Sequence, residues 1–153
     1  MVSIASAVPD DAEMIVDLLD EMDEFYGDEP TETRDERLAQ VRAYVFESLS
    51  PLTVIVARAD DGPVVGLASC SLLWPAARTS RSLYLKELYV LRHWRGKGVG
   101  KQLMTAVEGI AEDLGCSRVE FTTDTANEEA QAFYGSLGYT VNNGKLFYRR
   151  ALD

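Results

Sequence analysis

Apolar positions along the chain follow two rhythms. Val2 to Val8 is short, apolar and partly β-branched, the pattern of an opening strand. From Pro9-Asp10-Asp11 the spacing lengthens, and Ala12, Ile15, Leu18, Leu19, Met22 and Phe25 predict a helix with one buried stripe. A proline and acids stand at its start, where the helix dipole favours negative charge. Residues 27–33 break the pattern, and Leu38, Val41, Val45, Phe46 and Leu49 predict a second helix that stops near Pro51. The run 53–58 reads as a buried strand, Asp60-Asp61-Gly62-Pro63 as a hairpin turn, and Val64 to Leu73 as the returning strand. Leu83 to Leu91 alternates, which predicts Leu83, Leu85, Glu87 and Tyr89 on one face and Tyr84, Lys86, Leu88 and Val90 on the other.

A glycine-studded turn, Arg95 to Lys101, then leads into a long helix with Val99, Leu103, Ala106, Val107, Ile110 and Leu114 as its stripe and Gly115 as its stop. Ser117 to Thr123 reads as a strand. Asn127 is a plausible N-cap for a helix bearing Ala130, Phe133, Tyr134 and Leu137, ended by Gly138. Asn143-Gly144 is a strong turn signal, so Tyr139–Val141 and Leu146–Arg150 are expected to pair as a last hairpin. A strand–helix–strand crossover among hairpins implies an α/β fold: a mixed, mostly antiparallel sheet with one parallel strand pair and helices on its faces.

Length adds one constraint: 153 residues is the size of one domain, and with 46% hydrophobic residues it can bury a core. The chain is expected to be a single domain over 1–153. Charge adds another. A net charge of −10 disfavours a nucleic-acid partner, which needs a broad cationic face, and favours cationic small molecules. No apolar run approaches a membrane span, and no basic stretch precedes an apolar one at the start, so neither a membrane partner nor a secretory signal is expected. Cys70 and Cys116 read as reduced thiols in a cytoplasmic protein, and with His93 as the one histidine no metal site is expected.

The turn carries the chemistry. Gly96, Gly98 and Gly100 remove side chains at a helix N-terminus, where backbone N–H groups converge on an anion, and Arg95, Lys97 and Lys101 add positive charge. A phosphate or diphosphate is the natural guest. The P-loop pattern fails because Gln102 stands where a hydroxyl belongs, and the dinucleotide pattern fails because Lys101 stands where its last glycine belongs.

Arg95-x-x-Gly98-x-Gly100 resembles the [RQ]-x-x-G-x-[GA] signature of the GNAT superfamily of N-acetyltransferases. Asn127, Phe133-Tyr134 and Gly138-Tyr139 resemble the same family's later N-x-x-A-x-x-[FL]-Y-x-x-x-G-[FY] segment. The stretch around LYLKELYV is also similar, more loosely, to the diamine or polyamine acetyltransferase branch. Arg92 stands where the family often has a proline.

The resemblance implies a GNAT-like fold in which a bulge splays the strand of Leu88, Tyr89 and Val90 from the parallel one starting near Ser117, together with homodimerisation and acetyl-CoA as cosubstrate. It places the diphosphate on the amides of Arg95, Gly96, Lys97, Gly98, Val99, Gly100 and Lys101, and the pantetheine arm along Leu88, Tyr89 and Val90. Asn127 is implied to reach that arm, and Phe133 to cover it. The implied reaction is direct attack of a neutral amine on the thioester in a ternary complex. It assigns Tyr134 as the acid for the departing sulfur, Glu87 as the group that takes the amine proton, directly or through water, and an N–H near Val90 as donor to the carbonyl.

The residues alone leave bland alternatives open: Tyr134 and Phe133 as packed aromatics, Glu87 as a solvated carboxylate, and Asn127 as a cap only. Residues 10–36 hold thirteen of the chain's twenty-five acids, and 23–29 (DEFYGDE) mixes carboxylates with aromatics. In the family, the connection between the first two helices helps form the acceptor site. A polyamine-like or aminoglycoside-like amine is therefore expected, with a protein or peptide amine as the rival acceptor. A non-catalytic acyl-CoA-binding module is the rival function.

Overall fold

The computed structural model describes residues 1–47 and 52–152. Strand β1 (Val2–Ser6) leads through a short 3₁₀ turn (Pro9–Asp11) into helix α1 (Ala12–Tyr26), followed by α2 (Arg34–Phe46), β2 (Leu52–Ala59), β3 (Val64–Leu73) and β4 (Arg81–Val90). A second 3₁₀ turn (Arg92–Trp94) precedes α3 (Val99–Asp113), β5 (Cys116–Glu120) and α4 (Glu128–Ser136). The expected Leu49 and Pro51 at the end of the second helix lie outside the described residues.

The sheet runs β1-β2-β3-β4-β5, antiparallel throughout except for the parallel β4–β5 pair. This is the mixed, mostly antiparallel arrangement read from the sequence. Ile15, Val16 and Leu18 of α1 are almost wholly buried against Val54, Val56, Leu67 and Tyr89, joined by Val41 of α2. Burying each such side chain stabilises the fold by about 1.5–3 kcal/mol. The opposite pleats carry α3: a Cβ at Gly66 would meet Leu103 Cδ1 at 3.2 Å and Val99 Cγ1 at 3.4 Å. Helices thus cover both faces, and Gly66 lets the first turn of α3 sit directly on β3.

Local chemistry fixes the ends of α1. The Asp11 carboxylate, 2% exposed, accepts the Val8 N–H at 2.9 Å and the Arg58 guanidinium at 2.7 Å. At the far end Gly27 is left-handed (φ 76°), and the Asp28 N–H closes on the Asp23 carbonyl at 2.8 Å, which turns the chain sharply toward α2. Thr33 and Glu36 form a reciprocal capping box at the start of α2. That T-x-x-E signal stands plainly in the sequence, at Thr33 and Glu36.

Two expectations need correction. Strict alternation does not survive in β4. Ser69 pairs with Glu87 but Cys70 pairs with Leu85, so Lys86 is an extra residue, a β-bulge. One extra residue inverts the side-chain period. Glu87 and Tyr89 share the α1 face with Ser69 and Leu67, while Leu83 and Leu85 turn to the other face with Cys70. The apolar interval lengthening from two to three between Leu85 and Leu88 was the available signal.

The expected last hairpin does not form its strands either. A turn forms at Asn143-Gly144, with the Gly144 N–H on Asn142 Oδ1 at 3.0 Å, but Tyr139–Val141 and Leu146–Arg150 are not strands. Val141, Leu146 and Tyr148 are 80–85% exposed. Turn chemistry acts locally, whereas a ladder needs a buried face to hold it, and two strands alone are marginal.

The chain divides into a first compact unit, Met1–Phe121, holding the sheet with α1–α3, and a second from Thr122 onward, holding α4. In the second unit Asn127 caps α4, accepting the Ala130 N–H at 3.1 Å. Gly138 (φ 92°) ends it, with the Tyr139 N–H returning to the Tyr134 carbonyl.

Candidate active site

The β4–β5 ladder runs only from Arg81↔Cys116 to Tyr84↔Glu120. Beyond Tyr84, β4 continues for six residues to Val90 while β5 ends at Glu120. The bulge at Lys86 sits where the two strands part, as a bulge does when it bends and twists its strand.

Past the bulge the main chain has a definite handedness of use. The Leu91 N–H bonds the Val65 carbonyl of β3 at 2.9 Å. Successive residues of a strand direct their N–H and C=O to alternate sides. Tyr89 therefore spends its main-chain groups on β3, while those of Leu88 and Val90 point to the side that β5 has left. The Arg95 Nε–H reaches the Val90 carbonyl at 3.1 Å on that side.

The turn that follows is shaped by two left-handed glycines, Gly96 (φ 74°) and Gly98 (φ 81°), and a Cβ on either would meet nothing within 4 Å. Alternating hand in successive residues makes a concave nest of N–H groups. The first recorded bond of α3 is Gln102 N–H to Gly98 O at 3.1 Å, so Val99, Gly100 and Lys101 carry the helix's N-terminal donors. Lys97 and Lys101 are exposed beside them, Lys97 with its ammonium 5.1 Å from the Trp94 ring centroid. Such a main-chain nest, with open space at Gly96 and Gly98, has the geometry to seat an anion.

Arg95 is placed differently from its neighbours. Its N–H bonds the Arg92 carbonyl at 3.3 Å, and its guanidinium lies 4.4 Å over the Phe25 ring and 5.0 Å over the Tyr89 ring. The Glu21 carboxylate accepts the Tyr89 hydroxyl at 2.8 Å and the Arg92 N–H at 3.0 Å. Burial, then the hydrogen bond to Glu21, pushes the Tyr89 phenol up to about 12. It stays protonated at neutral pH and serves as a donor. Burial likewise raises the Cys70 thiol to about 11, which makes it inert as a nucleophile.

Next to this contact, residues 20–37 line a cavity of about 410 Å³, with six carboxylates facing Arg34 and Arg37. Arg37 bridges Asp20 at 3.0 Å and Asp23 at 2.8 Å, and Arg34 pairs with Asp17 at 2.7 Å. Those acids tie α1 to α2. Glu24, Asp28, Glu29 and Glu32 carry the rest of the cavity's negative charge.

In the second unit Tyr134 is half-buried, its ring edge-on to Phe133 (centroids 5.1 Å apart) and to Tyr139 (6.1 Å). The Asn127 side-chain oxygen is engaged as the cap. The structure thus gathers Leu88, Val90 and the amides from Gly96 to Lys101 at one end of β4, and Glu87 and Tyr89 on the α1 face. The sequence pattern alone makes Glu21 one acid of the 10–36 cluster and Phe25 a member of the first helix's stripe. Their spacing of four, which puts both on one side of α1, was the signal that they act together.

The model of the acetyltransferase (GNAT) family matches residues 15–139, across both units. The chain belongs to this family. It is an acetyl-CoA-dependent N-acetyltransferase. An aminoglycoside N(6')-acetyltransferase of Stenotrophomonas maltophilia is 27% identical over 130 residues, covering 83% of this chain and 79% of that protein. An uncharacterised N-acetyltransferase of Bacillus subtilis is 26% identical over 95% of each chain. Among solved structures, an integron cassette protein from the mobile metagenome of V. cholerae superposes with a TM-score of 0.87 at 30% identity, covering 99% of this chain and 93% of the other. An aminoglycoside N-acetyltransferase in complex with CoA shares the fold, with a TM-score of 0.79 at 24% identity over 99% and 96% of the two chains.

For this transferase the residues present suit the cosubstrate. A main-chain nest at a helix N-terminus fits the diphosphate of acetyl-CoA, and the outward-pointing groups of Leu88 with the Val90 N–H fit an amide-bearing arm, the Val90 carbonyl being taken by Arg95. Among the described residues no helix is long and apolar enough to cross a membrane, and no cluster of three metal-ligating side chains is found.

Proposed function

We propose that this acetyltransferase transfers the acetyl group of acetyl-CoA directly to a primary amine of a cationic small molecule, polyamine-like or aminoglycoside-like. The observation that carries the reading is the open end of β4: its edge is released past Tyr84 and runs straight into the left-handed glycines and N-terminal amides of α3. A diphosphate on the amides from Gly96 to Lys101 and an amide-bearing arm against Leu88 and Val90 would bring the thioester to the splayed edge. The cavity on the 20–37 side supports a cationic acceptor, because Glu24, Asp28, Glu29 and Glu32 outweigh the arginines left to balance them. Relatives named aminoglycoside N(6')-acetyltransferases support the same class.

In this reading the amine nitrogen attacks the thioester carbonyl carbon, forming C–N as C–S breaks. Glu87, on the α1 face, takes the amine proton directly or through water. The Val90 N–H stabilises the carbonyl oxygen as charge develops there. Tyr134, at the family's tyrosine position, donates its proton to the departing sulfur, with Asn127 and Phe133 beside the pantetheine arm.

The test pairs calorimetry of CoA binding with a thiol-release assay against sisomicin, spermidine and a basic peptide. Turnover of the small amines but not the peptide is expected. Turnover of the peptide alone would overturn the acceptor class, and CoA binding without turnover of any amine would overturn the catalytic reading.

A further inference from the structure

Adjacent sides of the last two turns of α1 do different work. One side contributes Asp20, Asp23 and Glu24 to the acidic cavity. The other presents Glu21 and Phe25, four residues apart, to the strand and turn that serve the anion seat. The contact is specific in kind. One carboxylate oxygen of Glu21 accepts two donors, the Tyr89 hydroxyl and the Arg92 N–H, one at the end of β4 and one at the start of the turn. Over it lies the Arg95 guanidinium, at cation–π distance from both the Phe25 and Tyr89 rings, with its Nε–H on the Val90 carbonyl.

We infer that Arg95 is a positioning residue: its guanidinium locks the acceptor-side end of α1 onto the strand end that feeds the anion seat, and does not itself meet the diphosphate. The Nε–H of the signature arginine is on the Val90 carbonyl and its cationic face lies over Phe25 and Tyr89, so the guanidinium is turned inward. Lys97 and Lys101, exposed along the turn, supply the positive field that Arg95 does not. Occupancy of the seat then stiffens the end of α1 through this contact, so acetyl-CoA binding prepares the cavity wall for the acceptor. The inference rests on the anion seat proposed above.

The test uses the full chain, CoA as probe, calorimetry at low and high salt, and amide hydrogen exchange with and without CoA. In the wild type, CoA is expected to slow exchange both in residues 96–102 and in residues 20–28. In Arg95→Met, which keeps the stem but loses the cation and the Nε donor, CoA affinity is expected to change by less than about threefold, with the same salt dependence. The response in 96–102 persists and that in 20–28 disappears.

Arg95→Lys restores a cation near the rings and is expected to recover part of the response. It is also the variant to read should Arg95→Met fail to fold. A loss of affinity of about tenfold or more in Arg95→Met with a weaker salt dependence, as expected for a deleted charge-assisted bond to phosphate, overturns the inference. A response in 20–28 that persists in both variants, or is missing from the wild type while CoA binds, also overturns it. Absence of CoA binding in the wild type instead overturns the anion seat itself.

Discussion

The anion seat and the acidic cavity are two ways of holding charge, one made from main chain and one from side chains. At Gly96 to Lys101 the donors are peptide N–H groups whose direction follows from two left-handed glycines and the start of α3. Their charge is partial and fixed in direction by the backbone. The cavity between Asp20 and Arg37 holds more formal charge, but part of it is already answered: Arg37 bridges Asp20 and Asp23, and Arg34 is drawn to Asp17 outside the lining. A count of acids therefore overstates what a ligand would feel there, whereas a count of glycines understates the seat. Geometry decides the strength of the first site and pairing decides the strength of the second.

The contrast can be broken most sharply at the turn. Gly98→Glu combined with Gly100→Glu should lower CoA affinity by about 100-fold or more in calorimetry, since the first forces a left-handed φ on a bulky residue and both place carboxylates before the diphosphate. Retained affinity would show that the N–H groups of the turn are not the seat. Tyr134→Phe should reduce turnover by about 100-fold with little change in acetyl-CoA affinity, the pattern of a group that acts only as the sulfur departs. Equal turnover under conditions where chemistry limits the rate would return that ring to packing against Phe133 and Tyr139.

On the side-chain site the expected effects are smaller. Glu24→Gln with Glu29→Gln should raise the KM for a cationic amine by about tenfold or less, leaving CoA affinity unchanged, because exposed charges contribute about 0.2–1 kcal/mol each. An unchanged KM would mean that the acceptor does not use this cavity. Arg37→Gln should cost about 1–2 kcal/mol in urea unfolding, since Arg37 is 15% exposed at its side chain and answers two carboxylates. Arg34→Gln, at a guanidinium 50% exposed, should cost less.

The smallest effect is a pH dependence. The Tyr89 phenol is raised in the folded chain from 10.0 to about 12, so the stability it contributes is fully present below its unfolded value. That stability is lost as pH rises through the interval between the two. Tm followed across that alkaline range should fall less steeply for Tyr89→Phe than for the wild type.

Much of this was legible residue by residue. The stripes of α1 and α3, the glycine stops after them, the Asn127 cap and the Arg95-x-x-Gly98-x-Gly100 turn are all local patterns, and each appears where the spacing put it. The failures have local causes too. A period-two reading of β4 could not see the extra residue at Lys86 without noticing the three-step interval from Leu85 to Leu88. The Asn143-Gly144 turn was sound, yet the flanking strands were inferred from a turn alone.

What the amino-acid order determined by itself is therefore everything set by short-range sterics and periodicity: which segments coil, where they stop, and that a glycine turn opens a helix. Only the tertiary structure decided which groups meet. It turned Arg95 inward over Phe25 and Tyr89, gave Glu21 to the Tyr89 hydroxyl and the Arg92 N–H, and matched Arg37 with Asp20 and Asp23. Apart from Arg95 and Tyr89, which are near in sequence, these partners lie from 14 to 71 residues apart along the chain. Long-range pairing depends on how whole elements pack, and no window of local sequence contains that information.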